Sequence, residues 1–236
     1  MSKVTPKLIY NRLSKVYDEC YNEPIHAIEN DFVFKYLLDN GFLEGKVLDV
    51  GSGTGIVLEN IDLSPENYFG LDISESMLEI SKSKFPKHFF FKGNMSNMPF
   101  EDNSFDSVIS LFGSFSYSLN HTKTIQEIER VLKPNGKFYV MIYGRKYSSR
   151  ESYILNKFNI TSPATFFNHK EIKSLFSRFN KKKIFGITWF SESLSKYISP
   201  RFIKFIFNLE HRLFSSFLPD NFYFITISGQ KYAKTL

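Results

Sequence analysis

Lys46–Ile56 reads KVLDVGSGTGI, and this stretch decides the fold. Val47, Leu48 and Val50 form a short apolar strand interrupted by one acid, Asp49, and Gly51, Gly53 and Gly55 follow at every second position. A strand running straight into alternating glycines and then a helix brings backbone against a ligand, because glycine has no Cβ and takes positive φ without a steric cost. Asp49 brings a carboxylate to the same crevice. Two alternatives stay open at this point. Dinucleotide binding needs G-x-G-x-x-G; here Ile56 stands three places after Gly53 and the extra glycine is Gly55, so the spacing is wrong for a pyrophosphate. The second is a tight strand-to-helix turn with no ligand, since short glycine motifs recur by chance.

Around this stretch the chain alternates strand and helix signals, the pattern of a parallel sheet covered on both faces. Strands are predicted at Lys46–Val50, Asn67–Asp72, His88–Lys92, Phe105–Leu111, Lys137–Tyr143, Lys181–Trp189 and Phe222–Gly229. Helices are predicted at Thr54–Ile61, after the Ser74 N-cap up to Pro86, at His121–Leu132 and at Asn168–Phe179, with a turn at Pro134-Asn135-Gly136. Residues 1–40 form a helical segment ahead of the first strand, residues 41–236 the main domain, and 190–220 a helical insertion before the last strand. Within the insertion Phe202, Ile206, Leu209, Leu213 and Phe217 repeat at helical spacing, opposite Arg201, Lys204, Asn208, His211, Arg212 and Ser215. Such a helix packs on the core, caps a site, or lies on a membrane or lipid-like surface through residues 200–218.

The 236 residues suffice for one α/β domain with a full core. One cysteine, Cys20, excludes a disulfide within the chain and a cysteine-rich zinc site. No stretch has signal-peptide character or the length of a membrane span, and a soluble cytoplasmic protein is expected. The net charge of +6 divides into −5 over residues 1–144 and +11 over 145–236. Such asymmetry signals either an anionic partner for the distal half or a solvated basic face.

The glycine stretch resembles the first motif of the class I S-adenosylmethionine (SAM)-dependent methyltransferases. LDISESML is similar to their second motif, FKGNMSNMPFEDNSFDSVIS to their G-D-A-x-x-L-P-F-x-x-x-S-F-D segment, and IERVLKPNGKFYV to their L-K-P-G-G signature, with Asn135 for the first glycine. The resemblance implies a Rossmann-like, doubly wound α/β fold: a seven-stranded, mostly parallel sheet of order 3-2-1-4-5-7-6, the last strand antiparallel, with residues 1–40 as a helical lid. It implies SAM as cofactor and S-adenosylhomocysteine as product.

The resemblance also distributes roles. Asp72 takes the ribose diol, although a strand-end Asp can instead cap a helix, and Ile73 and Met77 lie by the adenine. Asn94, where the family commonly has Asp, accepts from the adenine amine, and Met95 offers a backbone N–H. Asp49, Gly51, Ser52, Gly53 and Gly55 face the methionine tail, and Ser110, Leu111 and Phe112 line the sulfonium region. Tyr17, in a Tyr17-Asp18 pair, folds over the cofactor. Tyr10 and Tyr21 rival it and, with Phe115, Tyr117 and Tyr143, are candidates for the acceptor pocket. Methyl transfer needs mainly alignment and exclusion of water; no catalytic residue is assigned and no metal is expected.

The acceptor implied is a small molecule, lipid-like or anionic. The basic distal half leaves RNA or protein as alternative acceptors, although no N-P-P-Y, D-P-P-Y or Pro-Cys motif is present, which weighs against nucleic acid. A non-catalytic SAM-binding or membrane-surface protein is the third alternative.

Overall fold

The computed structural model describes residues 5–18, 23–145, 163–195 and 197–233. Its strands are β1 (Val47–Val50), β2 (Tyr68–Asp72), β3 (Phe89–Lys92), β4 (Phe105–Ser110), β5 (Leu132–Tyr143), β6 (Asn180–Ile187) and β7 (Phe224–Gln230). They form one seven-stranded sheet in the order β3-β2-β1-β4-β5-β7-β6. The first five are mutually parallel, and β7 runs antiparallel to both β5 and β6. This is the order and polarity that the sequence motifs imply.

The helices are α1 (Pro6–Leu13), α2 (Pro24–Asp39), α3 (Ile56–Asn60), α4 (Glu75–Lys84), α5 (His121–Val131), α6 (His169–Leu175), α7 (Phe190–Leu194) and α8 (Pro200–Phe214). Among the described residues no helix is long and apolar enough to cross a membrane. Side chains alternate across a strand, so a sheet covered on both faces buries every position. Val47, Ile109, Tyr139 and Met141 accordingly pack with Ile25, Val33 and Leu37 of α2. Leu48, Val108, Phe138 and Val140 pack with Ile125 and Ile128 of α5 and Ile172 of α6. α2 is therefore a core helix, whereas α1 buries Ile9 and Leu13 in a small cluster of its own and meets the main core through Tyr10.

Several boundaries depart from the sequence pattern: α6 ends at Leu175, short of the expected Phe179, and β6 at Ile187, short of Trp189. β5 starts at Leu132 and runs through Pro134-Asn135-Gly136, where the residue types predict a turn. Asn135 accommodates this with φ +63, and the pairing to β4 shifts register between Phe105 and Ser107. β7 begins at Phe224, after a short 3₁₀ turn at Pro219–Asn221.

The orientation of α8 removes one of the readings open for it, that of a stripe packed on the core. The predicted apolar stripe does not face the core: Phe202, Leu209, Leu213 and Phe217 are exposed and Ile206 is half-buried. Ile203 and Phe207 are buried instead, Phe207 edge-on to Phe32 of α2 at 5.5 Å between ring centroids. His211 and Ser215, expected on the polar side, also turn inward; His211 lies 4.3 Å from the Phe32 ring and the Ser215 carbonyl accepts from Gly186 N. The cause is Glu210, fully buried, whose carboxylate accepts from Trp189 N (2.9 Å), Ser191 N (3.0 Å) and the Ser191 hydroxyl at the start of α7. Three donors at a helix start hold one carboxylate and so set the rotation of α8. Glu210→Ala is expected to cost about 3 kcal/mol in urea denaturation by stranding those donors. Leu209→Ala, one position away on the exposed side, should cost less than about 0.5 kcal/mol.

Candidate functional site

β1 and β4 are neighbours in the sheet although β2 and β3 separate them in sequence, so a crevice opens beyond their carboxyl ends. The loop leaving β1 lines that crevice. Gly51 (φ +81) and Gly53 (φ +54) adopt the left-handed region. A Cβ at Gly51 would lie 2.4 Å from the Ser114 side chain, whereas one at Gly53 would meet nothing within 4 Å. Gly51 N and Ser52 N both donate to Leu71 O of β2, at 2.7 and 3.1 Å.

Asp72 closes the other side. Its Oδ2 accepts from Gly53 N at 2.9 Å and its Oδ1 from Ser74 N at 2.8 Å. Desolvation raises the pKa of this carboxyl, and the backbone donors of Ser74 and Gly53 pull it back. Helix capping falls to Ser74, whose hydroxyl oxygen accepts from Met77 N and whose proton goes to Asn11 Oδ1 of α1. Asp49 is buried beneath the loop and accepts from the Tyr68 hydroxyl at 2.8 Å. Burial pushes its carboxyl up to about 7, against that hydrogen bond and aided by the nearby charge of Asp72.

Two adjoining cavities share Tyr17, Gly51, Gly53 and Ser114. The first brings together Tyr10, Asp72, Ile73, Met77, Asn94, Met95 and Tyr117. Tyr10 packs edge-on against Tyr17 (5.9 Å) and Tyr117 (5.1 Å), so α1 roofs this cavity with aromatic rings. Asn94 Oδ1 already accepts from Ser96 N. The second cavity gathers Asp49, Ser52, Leu111 and Phe112 with residues the sequence did not single out: His26, Glu29, Asn30, Thr54, Glu59 and Phe224. Ser52 Oγ is buried there without a hydrogen-bond partner among the described residues. Asp18 reaches the same loop, accepting from the Thr54 hydroxyl at 2.7 Å.

Four predicted residues lie elsewhere. Gly55 N-caps α3 and abuts the Phe85 ring, lining neither cavity. Ser110 is fully buried and donates to Val50 O. Phe115 packs in the core with Phe176, and Tyr143 packs against Gly113, Phe166 and Phe224. Tyr21 falls outside the described residues. His26 and Glu29 carried a readable signal: polar residues three apart, where Ile25, Ile28 and Val33 form an apolar face. Among the described residues no group of three or more His, Cys, Asp and Glu could hold a metal ion.

Residues 48–140 match the family model described as a methyltransferase domain. A demethylmenaquinone methyltransferase of Staphylococcus haemolyticus is 30% identical over 76% of this chain and 87% of its own length. An uncharacterised protein of Methanocaldococcus jannaschii is 36% identical over 58% of this chain and 51% of its own. The chain spans about half the length of most curated relatives it matches (42% to 56%). Among solved structures, a SAM-dependent methyltransferase of Thermotoga maritima superposes with a TM-score of 0.65 at 21% identity, covering 95% of this chain and 99% of that one.

Between the ordinary aspartate value of 3.8 and about 7, folded Asp49 holds a proton that the unfolded chain has lost. Folding takes up this proton, so its contribution to stability falls as pH rises through that window and levels off above it. Asp49→Asn stays neutral and can still accept from Tyr68. Relative to the native chain it is expected to gain on the order of 2 kcal/mol between about pH 5 and about pH 8, measured by urea denaturation.

Proposed function

We propose that this chain, which belongs to the class I S-adenosylmethionine-dependent methyltransferases, moves a methyl group from that cofactor to a small-molecule acceptor held between the glycine loop and α2. The supporting observation is the Asp72 carboxylate, fixed by Gly53 N and Ser74 N on the wall of the first cavity. Each oxygen retains a lone pair, so together they fit a vicinal diol. Ile73, Met77 and Met95 make an apolar slot for a purine ring, and the Asn94 amide, one oxygen lone pair committed to Ser96, meets its polar edge. The open space beside Gly53 and the nearby Asp49 suit an amino acid tail.

The cofactor supplies a methyl carbon already activated by its sulfonium. The protein contributes alignment of the acceptor lone pair and exclusion of water, which together account for much of the barrier reduction in such transfers. Tyr10, Tyr17 and Tyr117 cover the first cavity, and Leu111, Phe112 and Phe224 dry the second.

The described wall of the second cavity carries no lysine or arginine; of its acids, Asp18 and Glu59 both pair with Lys84 at 2.6 Å and Glu29 accepts from the Thr188 hydroxyl. An anionic acceptor would find no counter-charge on this wall. An uncharged or cationic acceptor with an apolar body suits this wall, and the relatives named for demethylmenaquinone support a small molecule. His26, the histidine on this wall, is the group we assign to receive the acceptor's proton; Glu29 lies about one helical turn further along α2.

Calorimetry with S-adenosylhomocysteine tests the cofactor site. Asp72→Ala is expected to weaken binding about 100-fold, the loss of a charge-assisted pair of hydrogen bonds; unchanged affinity in a folded variant would overturn the assignment. Mass-shift screening of small-molecule extracts with isotope-labelled cofactor tests the acceptor, and a product methylated on an anionic compound would refute the class named here.

A further inference from the structure

The exposed side of α8 is not used by the site. Phe202 (56% exposed), Phe205 (59%), Leu209 (41%) and Leu213 (48%) form one stripe along a 15-residue helix, with Phe202 and Phe205 ring centroids 6.0 Å apart. Past its C-terminal end Phe217 is 84% exposed. The helix has no freedom to turn this stripe inward. Glu210 is clasped by the first turn of α7, Phe207 and His211 pack on Phe32, and Lys204 pairs with Asp31 of α2 at 3.0 Å. At 100° per residue, Arg201 and Arg212 project together along the flank next to Phe205, and both are exposed. No ion pair engages either among the described residues.

We propose that this face of α8 docks the protein on an anionic lipid bilayer, with the stripe entering the headgroup–acyl boundary and Arg201 and Arg212 lying against lipid phosphates. An apolar face bordered by exposed arginines is the pattern of a helix lying in the plane of a membrane surface. The charge of the face itself is complementary: Arg201 and Arg212 are exposed, while the one acid of α8, Glu210, is buried against backbone donors, and basic side chains close to an anionic leaflet each add to the attraction. A second copy of this chain is a poorer occupant. The stripe exposes on the order of 400 Å², against about 800 Å² per partner in a stable protein interface. It is also a single narrow row, which suits a fluid surface that needs no matching relief. α2, on which α8 rests, carries His26 and Glu29 of the second cavity, so docking brings that cavity close to the lipid.

Co-sedimentation of the full chain with two kinds of vesicle tests this: phosphatidylcholine alone, and phosphatidylcholine mixed with phosphatidylglycerol. Binding is expected to the mixed vesicles, about tenfold stronger than to the neutral ones, and to weaken as salt is raised. Phe202→Ser with Phe205→Ser should reduce it about tenfold or more. Arg201→Gln with Arg212→Gln should remove the preference for anionic lipid. All four side chains are exposed, so the melting temperature should hold and a loss of binding would not reflect unfolding. The proposal falls if the native chain binds neither vesicle, or if the phenylalanine pair can be replaced without effect. It falls equally if sedimentation equilibrium reveals a dimer that the same replacement dissolves.

Discussion

The Asp72 carboxylate joins three elements that sequence alone keeps apart. One oxygen holds Gly53 N of the loop after β1, the other holds Ser74 N at the start of α4, and the residue itself ends β2. The loop can lie open beside Gly53 because Asp72 restrains it from the far side while Leu71 O restrains Gly51 N and Ser52 N. Desolvating a carboxylate is costly unless donors compensate it. Here two backbone N–H groups do so, and the residue lines the first cavity with lone pairs still uncommitted.

Much of this is visible in the sequence because it is local. The glycine run, the Ser74 cap and the acid ending β2 are set by residues a few positions apart, and backbone rules act at that range. Strand order follows from motif resemblance, since periodicity carries no information about which strands pair. Sequence patterns fail where a distant contact decides. The helical spacing of α8 groups Phe202, Leu209 and Leu213 on one face without saying whether that face meets the core or a surface, and hydrophobicity is the only signal available. Glu210, one buried acid held by Trp189 and Ser191, rotates the helix instead. β5 likewise runs through Pro134-Asn135-Gly136 because Asn135 tolerates positive φ.

The site shows the same division. Residues on the loop and on the ends of β1 and β2 are found from motifs. His26 and Glu29 reach the second cavity only because α2 crosses the sheet beside the crevice, a tertiary fact with no local signature beyond two polar residues in an apolar row. Conversely, Phe115 and Tyr143 sit near the right strands in sequence, yet their side chains are consumed by packing.

The N-terminal segment meets α4 through polar contacts spread along that helix: Lys7 with Glu75 at 3.5 Å, Asn11 with the Ser74 hydroxyl at 2.7 Å and Ser76 N at 3.5 Å, and Asp18 with Lys84 at 2.6 Å. Apolar packing secures it as well: Ile9 and Leu13 are buried in a small cluster with Tyr17, and Tyr10 packs on the main core and edge-on to Tyr117 at 5.1 Å. The two ion pairs among these contacts are individually weak and are screened by electrolyte, whereas the Asn11 hydrogen bonds are not. Dissolved salt therefore loosens only the ionic part of this hold, and the aromatic contacts of Tyr10 keep the roof over the first cavity in place.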